Sequence, residues 1–243
     1  VAAGGVVACA AVAITATLMR RTLPLGELYA AKSTAILAVV TISAVTLVRA
    51  YHPFTRFGAA NQMTLIRAGL VALVAGLIGE PAVASVAAVA VGVAAAVEIL
   101  DGVDGWLARR DGLASAFGAR FDMEVDALLI MVLAILAWQH GKAGAWVLLS
   151  GLLRYGFVVA GWLAPWIAHP LPPSRRRQAI CVVQVAALGA VVSPLMTASV
   201  GVPVVAAALA VLTASFLMDI VWLWRARSAT AASTRVRAYP SSS

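Results

Sequence analysis

Charged residues are scarce in this chain. Of its 243 residues, 12% are charged and 63% are hydrophobic, whereas soluble domains carry roughly a quarter charged. A water-soluble globular domain is excluded, and lipid is the expected solvent. Cysteine and histidine are scarcer still. The two cysteines, Cys9 and Cys181, lie far apart in apolar stretches and read as small hydrophobes within helices, while His52, His140 and His169 stand singly. Neither residue type reaches a metal-ligand spacing, so a zinc site of the two-histidines-on-one-helix kind is set aside. No polar or Pro/Gly/Ser-rich linker of any length is present, and no internal repeat rises above the Ala/Val bias, which leaves a single membrane domain.

Apolar length is what the chain has in abundance. Segments long enough to cross about 30 Å of hydrocarbon as helix run at 1–18, 33–50, 64–79, 81–108, 119–139, 144–168, 178–199 and 202–224. They predict an all-α, polytopic membrane bundle of up to eight helices. The first apolar run ends at Arg20 and Arg21, the wrong charge order for a signal peptide, whose positive residues come first. With Val1 in place of methionine, further residues are expected upstream.

The formal net charge is +8, but a nucleic-acid binder needs a soluble basic surface with groove-reading or stacking elements, and none is present. Basic residues in a membrane protein report orientation and contact with anionic headgroups. With the C-terminus inside, Arg49, Arg56, Arg67, Arg109, Arg110, Arg120, Arg175, Arg176, Arg177, Arg225, Arg227, Arg235 and Arg237 fall at cytoplasmic helix ends, and only Lys142 falls outside. Arg20, Arg21 and Lys32 do not fit that pattern. The expected location is the inner, cytoplasmic membrane.

Acidic residues are few and concentrated. Of the ten, Glu98, Asp101, Asp104, Asp111, Asp122, Glu124 and Asp126 share one stretch, although a carboxylate in hydrocarbon costs at least about 2.5 kcal/mol. Such concentration requires a compensating cation. Asp101 and Asp104 are three apart near the end of one helix, and Asp122 and Asp126 are four apart at the start of the next, so each pair shares a helical face. The short turn 110–117, with Gly112 to break the helix, folds the second face back onto the first. Hard oxygen ligands without Cys or His favour Mg²⁺, Mn²⁺ or Ca²⁺ over zinc or copper. Four carboxylates suffice for two ions, a recurring device for displacement at phosphorus. A helix-end charge network pairing Asp101 and Asp104 with Arg109 and Arg110 does not explain carboxylates on both sides of one turn.

Read in order, Asp101-Gly-Val-Asp104-Gly105-Trp-Leu-Ala108-Arg109, eight residues, Gly118, three residues, Asp122, three residues and Asp126 resembles the signature of the CDP-alcohol phosphotransferase family. All the signature positions match, a coincidence on the order of 10⁻⁹ at ordinary residue frequencies. Upstream, Asn61-Gln-Met-Thr64-Leu-Ile-Arg67 resembles the family's Asn-x-x-Thr opening of its first core helix, with Ala60 where proline is usual. The resemblance implies a six-helix catalytic core over 51–227, with accessory helices over 1–50 and a basic, disordered cytoplasmic tail over 228–243.

The same resemblance implies transfer of a substituted phosphate from a CDP-linked donor, such as CDP-diacylglycerol, to an alcohol with release of CMP, in phospholipid biosynthesis. It makes Asp101, Asp104, Asp122 and Asp126 ligands of two Mg²⁺ or Mn²⁺ ions and Asp126 also the base. Asn61, Thr64, Gly105, Ala108, Arg109, Ser115 and Gly118 would line the nucleotide pocket. Membrane lipids and a second copy in a homodimer are the expected partners. The acceptor is expected on the far side of the metals, where Arg154 lies inside an apolar helix and needs an anionic or polar partner. Arg175, Arg176 and Arg177 open the next helix and could hold an acceptor phosphate. Four basic side chains on this route favour an anionic acceptor such as glycerol 3-phosphate, to which phosphatidylglycerophosphate synthases also direct attention through a loosely similar Arg154 position. Two other readings are an inactive scaffold of the same family and an ion-coupled transporter. The transporter places its carboxylates at the midplane, whereas these lie at helix ends.

Overall fold

The computed structural model describes residues 2–51, 59–111, 116–172 and 174–238, and these form eight α-helices with no strand among them. They are α1 (Ala2–Thr22), α2 (Tyr29–Tyr51), α3 (Ala59–Gly76), α4 (Ala84–Asp111), α5 (Ala116–Gln139), α6 (Leu149–Leu163), α7 (Arg175–Val192) and α8 (Ala198–Ala238). Five of them, α1, α2, α4, α6 and α8, contain spans long and apolar enough to cross a membrane, and only 17–28% of each span is buried within the protein. Their outward apolar faces, with residues such as Ile99, Trp162, Leu163 and Leu217 exposed, are suited to lipid. The remaining three, α3, α5 and α7, are among those that carry polar residues into the bundle, Asn61, Thr64 and Arg67 on α3 and Gln184 on α7 being buried.

The 25-residue helix expected over 144–168 is shorter in the structure. Short 3₁₀ turns at Ala145–Leu148 and Pro165–Ala168 bracket α6. Pro165 accounts for its end, because the residue before a proline is driven out of the helical region, and Ala164 is extended at φ −131°, ψ 92°. At the C-terminus the difference runs the other way. Helix α8 continues to Ala238, through the first part of the segment expected to be a disordered tail, since neither Gly nor Pro lies between Arg227 and Pro240.

Helix α3 is the hub. It packs against α1, α2, α4 and α5, and Ala68, Val71, Ala72 and Val74 are wholly or almost wholly inaccessible. The approach of α2 to α3 depends on Gly76: a Cβ there would collide with Ser33 Oγ and meet the Tyr29 ring at 3.0 Å. In lipid, helix association rests on such close packing, since lipid tails are as apolar as leucine. Tyr29 is fully buried and donates a 2.9 Å hydrogen bond to the Leu73 carbonyl.

One end of the bundle is tied by Glu80, in the α3–α4 loop. It accepts from the Gly26 N–H at 2.6 Å and pairs with Lys32 at 2.6 Å. Gln139 adds a second tie, accepting from the Gly79 N–H and donating to the Glu80 carbonyl, each at 2.8 Å. Gly79 can present its N–H there because it adopts φ 82°, which side chains resist. Lys142, at the same end, donates to the Met196 carbonyl at 2.6 Å. Lys32 thus shares an end with Lys142, opposite the aspartates.

Burial alone would raise the Glu80 carboxyl pKa, but the Gly26 and Lys32 hydrogen bonds, with the charges of Lys32 and Arg20, hold it below the usual carboxylate range. A group depressed in the folded state contributes stability that is present above its unfolded pKa and is lost as pH falls through the folded one. Glu80→Gln is therefore expected to lower thermal stability at neutral pH, by on the order of 2 kcal/mol, and to flatten the wild-type loss of stability on acidification below about pH 4. Thermal melts across pH, with wild type and variant in parallel, check both.

The N-terminal pair bears directly on this hub. A chain starting at Tyr51 would lose Tyr29, Ser33 and Lys32 together. It is expected to insert and to retain nucleotide binding, because the aspartates lie elsewhere, but to melt about 10 °C lower, as loss of a few kcal/mol implies for a chain of this size. A truncated chain that folds yet binds no nucleotide would make α1 and α2 part of the site.

Candidate active site

The site is built at the opposite end, where α3 and α7 each pack against both α4 and α5. On α3, Asn61, Thr64 and Arg67 recur at helical spacing on one buried face, with 5%, 3% and 0% of their surface exposed. On α4 and α5 the chain supplies acids. Phe117 and Phe121 stack at 5.7 Å and are both buried, anchoring the first turns of α5 and setting Asp122 and Asp126 one turn apart beside them.

The carboxylates meet around Arg67. Its Nη1 pairs with Asp101 Oδ1 at 2.7 Å and also bonds Asp122 Oδ1, and its Nη2 pairs with Asp126 Oδ1 at 2.5 Å. One oxygen from each of Asp101, Asp122 and Asp126 lies within 4.8 Å of the others. The guanidinium is wholly enclosed, whereas the side chains of Asp101, Asp122 and Asp126 remain 34%, 36% and 20% exposed. The cation thus lies beneath a partly open ring of carboxylates.

Three of the four aspartates read as ligands are therefore brought together. Asp104, Gly105, Ala108 and Arg109 lie on the helical backbone of α4, but their side chains lie outside the described residues, as does Ser115 altogether. Gly118 lies in the first turn of α5, four residues before Asp122, and Asn61 and Thr64 share the Arg67 face.

Of the arginines expected on the acceptor route, Arg154, Arg176 and Arg177 have acidic partners. Arg154 pairs with Glu124 at 2.5 Å. Arg176 and Arg177 converge on Asp219 of α8 at 2.5 and 3.4 Å, and Arg177 also donates to the Pro172 carbonyl. Three cations at a helix N-terminus oppose the helix dipole, and Asp219 offsets that cost. Arg175 is exposed.

The structure adds residues to those read from the chain. Arg67, counted among orientation-setting arginines, is instead at the centre of the acidic cluster; the signal was its position three residues after Thr64 and six after Asn61, on one helical face. Cys181 of α7, read as a bland hydrophobe, places Sγ 3.9 Å from Asp126 Oδ2. Nothing in the local sequence announced that contact. Glu98, one turn before Asp101, lies close enough to feel the charges of Asp101, Arg67 and Asp122.

Hard oxygen donors from two helices that converge at one end of a helical bundle are a set that could hold a metal ion. The family model for CDP-alcohol phosphatidyltransferases matches residues 57–216, and the chain belongs to that family. The matched stretch begins after α2 and ends within α8. No curated protein and no solved structure matches the chain. Family members are phosphotransferases that move a phosphate-linked group from a CDP-alcohol to an alcohol acceptor at a membrane, typically with a divalent metal.

Proposed function

We propose that this protein transfers a phosphatidyl or similarly substituted phosphate from a CDP-linked donor to an alcohol, releasing CMP, as a step in phospholipid biosynthesis at the cytoplasmic face of the inner membrane. The observation that carries this reading is the convergence of Asp101, Asp122 and Asp126 within 4.8 Å. The fit to a divalent ion is chemical: the donors are all carboxylate oxygens, suited to Mg²⁺ or Mn²⁺, and they already surround a positive charge. With Asp104 on the next turn of α4, the set would hold two ions. When bound, these supply positive charge to the phosphate oxygens of the donor as the displacement proceeds.

The chain's own residues account for the rest. Asp126 has the least exposed carboxylate of the three, and its Oδ1 is taken by Arg67. Its Oδ2 faces Cys181 on α7, the side from which α6 and α7 would present an acceptor. Asp126 Oδ2 is thus the oxygen assigned to take the proton of the attacking hydroxyl, within the reach a base requires. The acceptor oxygen then bonds to the donor's β-phosphorus as the bond to CMP breaks, and CMP departs with that electron pair. Asn61, Thr64, Gly105, Ala108, Arg109, Ser115 and Gly118 are assigned to the nucleotide. Arg154 and Arg175 to Arg177 are assigned to the acceptor, where an anionic acceptor would exchange with Glu124 or Asp219 as the arginines' partner.

The test is release of CMP from CDP-diacylglycerol by purified protein, with Mg²⁺ or Mn²⁺ against a chelator, followed by a panel of acceptor alcohols. Absence of metal-dependent release with every acceptor and with other CDP-alcohols would overturn the reading.

A further inference from the structure

We infer that Arg67 is a resident cation of the carboxylate cluster, holding Asp101, Asp122 and Asp126 together in the metal-free protein and competing with divalent cations for the same oxygens. The inference rests on the reading of these aspartates as a metal site, and goes beyond it by assigning a role to a residue outside the acidic signature.

The geometry is specific. Three helices bring four charged side chains to a single point: Arg67 comes from α3, Asp101 from α4, and Asp122 and Asp126 from α5. The guanidinium engages the Oδ1 atom of each aspartate, two of them through Nη1 and the third through Nη2. Divalent ions would need lone pairs on the same carboxylates. Without a cation, three carboxylates within 4.8 Å would repel one another strongly in a medium less polarisable than water. Arg67 offsets part of that repulsion at any working pH, because its side chain stays protonated. The side chain is completely enclosed, beneath the carboxylates that it engages.

Two consequences follow, and the first has the opposite sign from that of a purely structural arginine. A cation that shares the ligands lowers the affinity of the site for other cations, so its removal tightens metal binding. A cation that screens the carboxylates keeps the bundle folded when metal is absent, so its removal makes folding depend on metal. A residue that merely held the helices in place would, when removed, loosen the ligands and weaken metal binding.

The experiment uses the full-length protein in lipid nanodiscs, with Mn²⁺ as the probe. Mn²⁺ binding is read by electron paramagnetic resonance, and thermal unfolding is followed in chelator and in Mn²⁺. Wild type is expected to bind Mn²⁺, and Asp122→Asn to lose most of that binding. Arg67→Gln is expected to bind Mn²⁺ at least tenfold more tightly than wild type, to melt lower than wild type in chelator, and to recover in Mn²⁺. Arg67→Lys keeps the charge but not the fork that reaches three carboxylates, and is expected to bind severalfold more tightly than wild type. This second variant decides the matter if Arg67→Gln does not fold. Arginine variants that bind Mn²⁺ no more tightly than wild type, while wild type binds it, would overturn the resident-cation role and leave the metal site standing. Wild-type protein that binds no Mn²⁺ would overturn both.

Discussion

Asp122→Asn is expected to reduce CMP release by at least about a thousandfold while leaving the protein folded and in the membrane. Asparagine keeps an oxygen where Asp122 Oδ1 accepts from Arg67, so that contact survives while one charge and the second carboxylate oxygen are lost. The stability cost should be about 1 kcal/mol, because Arg67 retains Asp101 and Asp126. The chemistry has no such reserve. A neutral amide is a poor ligand for a hard divalent cation, and the donor phosphates would lose the charge that the bound ions bring. Parallel measurement of CMP release, Mn²⁺ binding and thermal unfolding separates the two effects. Normal turnover at saturating Mg²⁺ would remove Asp122 from the site.

The sequence was most informative where lipid constrains it. Eight apolar segments corresponded to eight helices because each backbone polar group in hydrocarbon has to be satisfied within its own helix. Helix ends were less legible, since Pro165 stops α6 early and α8 runs past the last apolar residues. The aspartates were legible because their spacing, three and then four, is a local property of single helices. Their partner was not. Arg67 precedes Asp101 by 34 positions, and an arginine near a helix end has an ordinary explanation in membrane orientation. Only the packing of α3 against α4 and α5 shows that its charge points inward. Glu124 and Asp219 illustrate the same limit, because both pair with arginines on other helices, and no periodicity within one segment encodes that.

This limit matters most for Arg154. The helix that carries it supplies no acid, and from sequence its partner had to be sought in the acceptor. The structure supplies Glu124, from α5, two residues from both Asp122 and Asp126. The side chains of the pair are 18% and 35% exposed, so a substrate phosphate reaching Arg154 would exchange with a carboxylate that solvent can take up. If the acceptor is anionic, Arg154→Ala should raise its KM about tenfold to hundredfold, the loss of one charge-assisted contact, with the KM for the CDP-linked donor nearly unchanged. Lysine at that position should rescue only part of the loss, since an ammonium cannot reproduce the two-pronged guanidinium contact. Glu124→Gln supplies the opposite sign: it removes the competing carboxylate, so the KM for an anionic acceptor should fall, whereas that for an uncharged alcohol should not. Steady-state kinetics on both variants, with one phosphorylated and one neutral acceptor, separate these outcomes. An Arg154→Ala protein that melts lower but keeps its acceptor KM would make the Arg154–Glu124 pair a helix-to-helix tie alone. One that weakens the donor and spares the acceptor would reverse the two pockets, and the case for an anionic acceptor would then rest on Arg175 to Arg177.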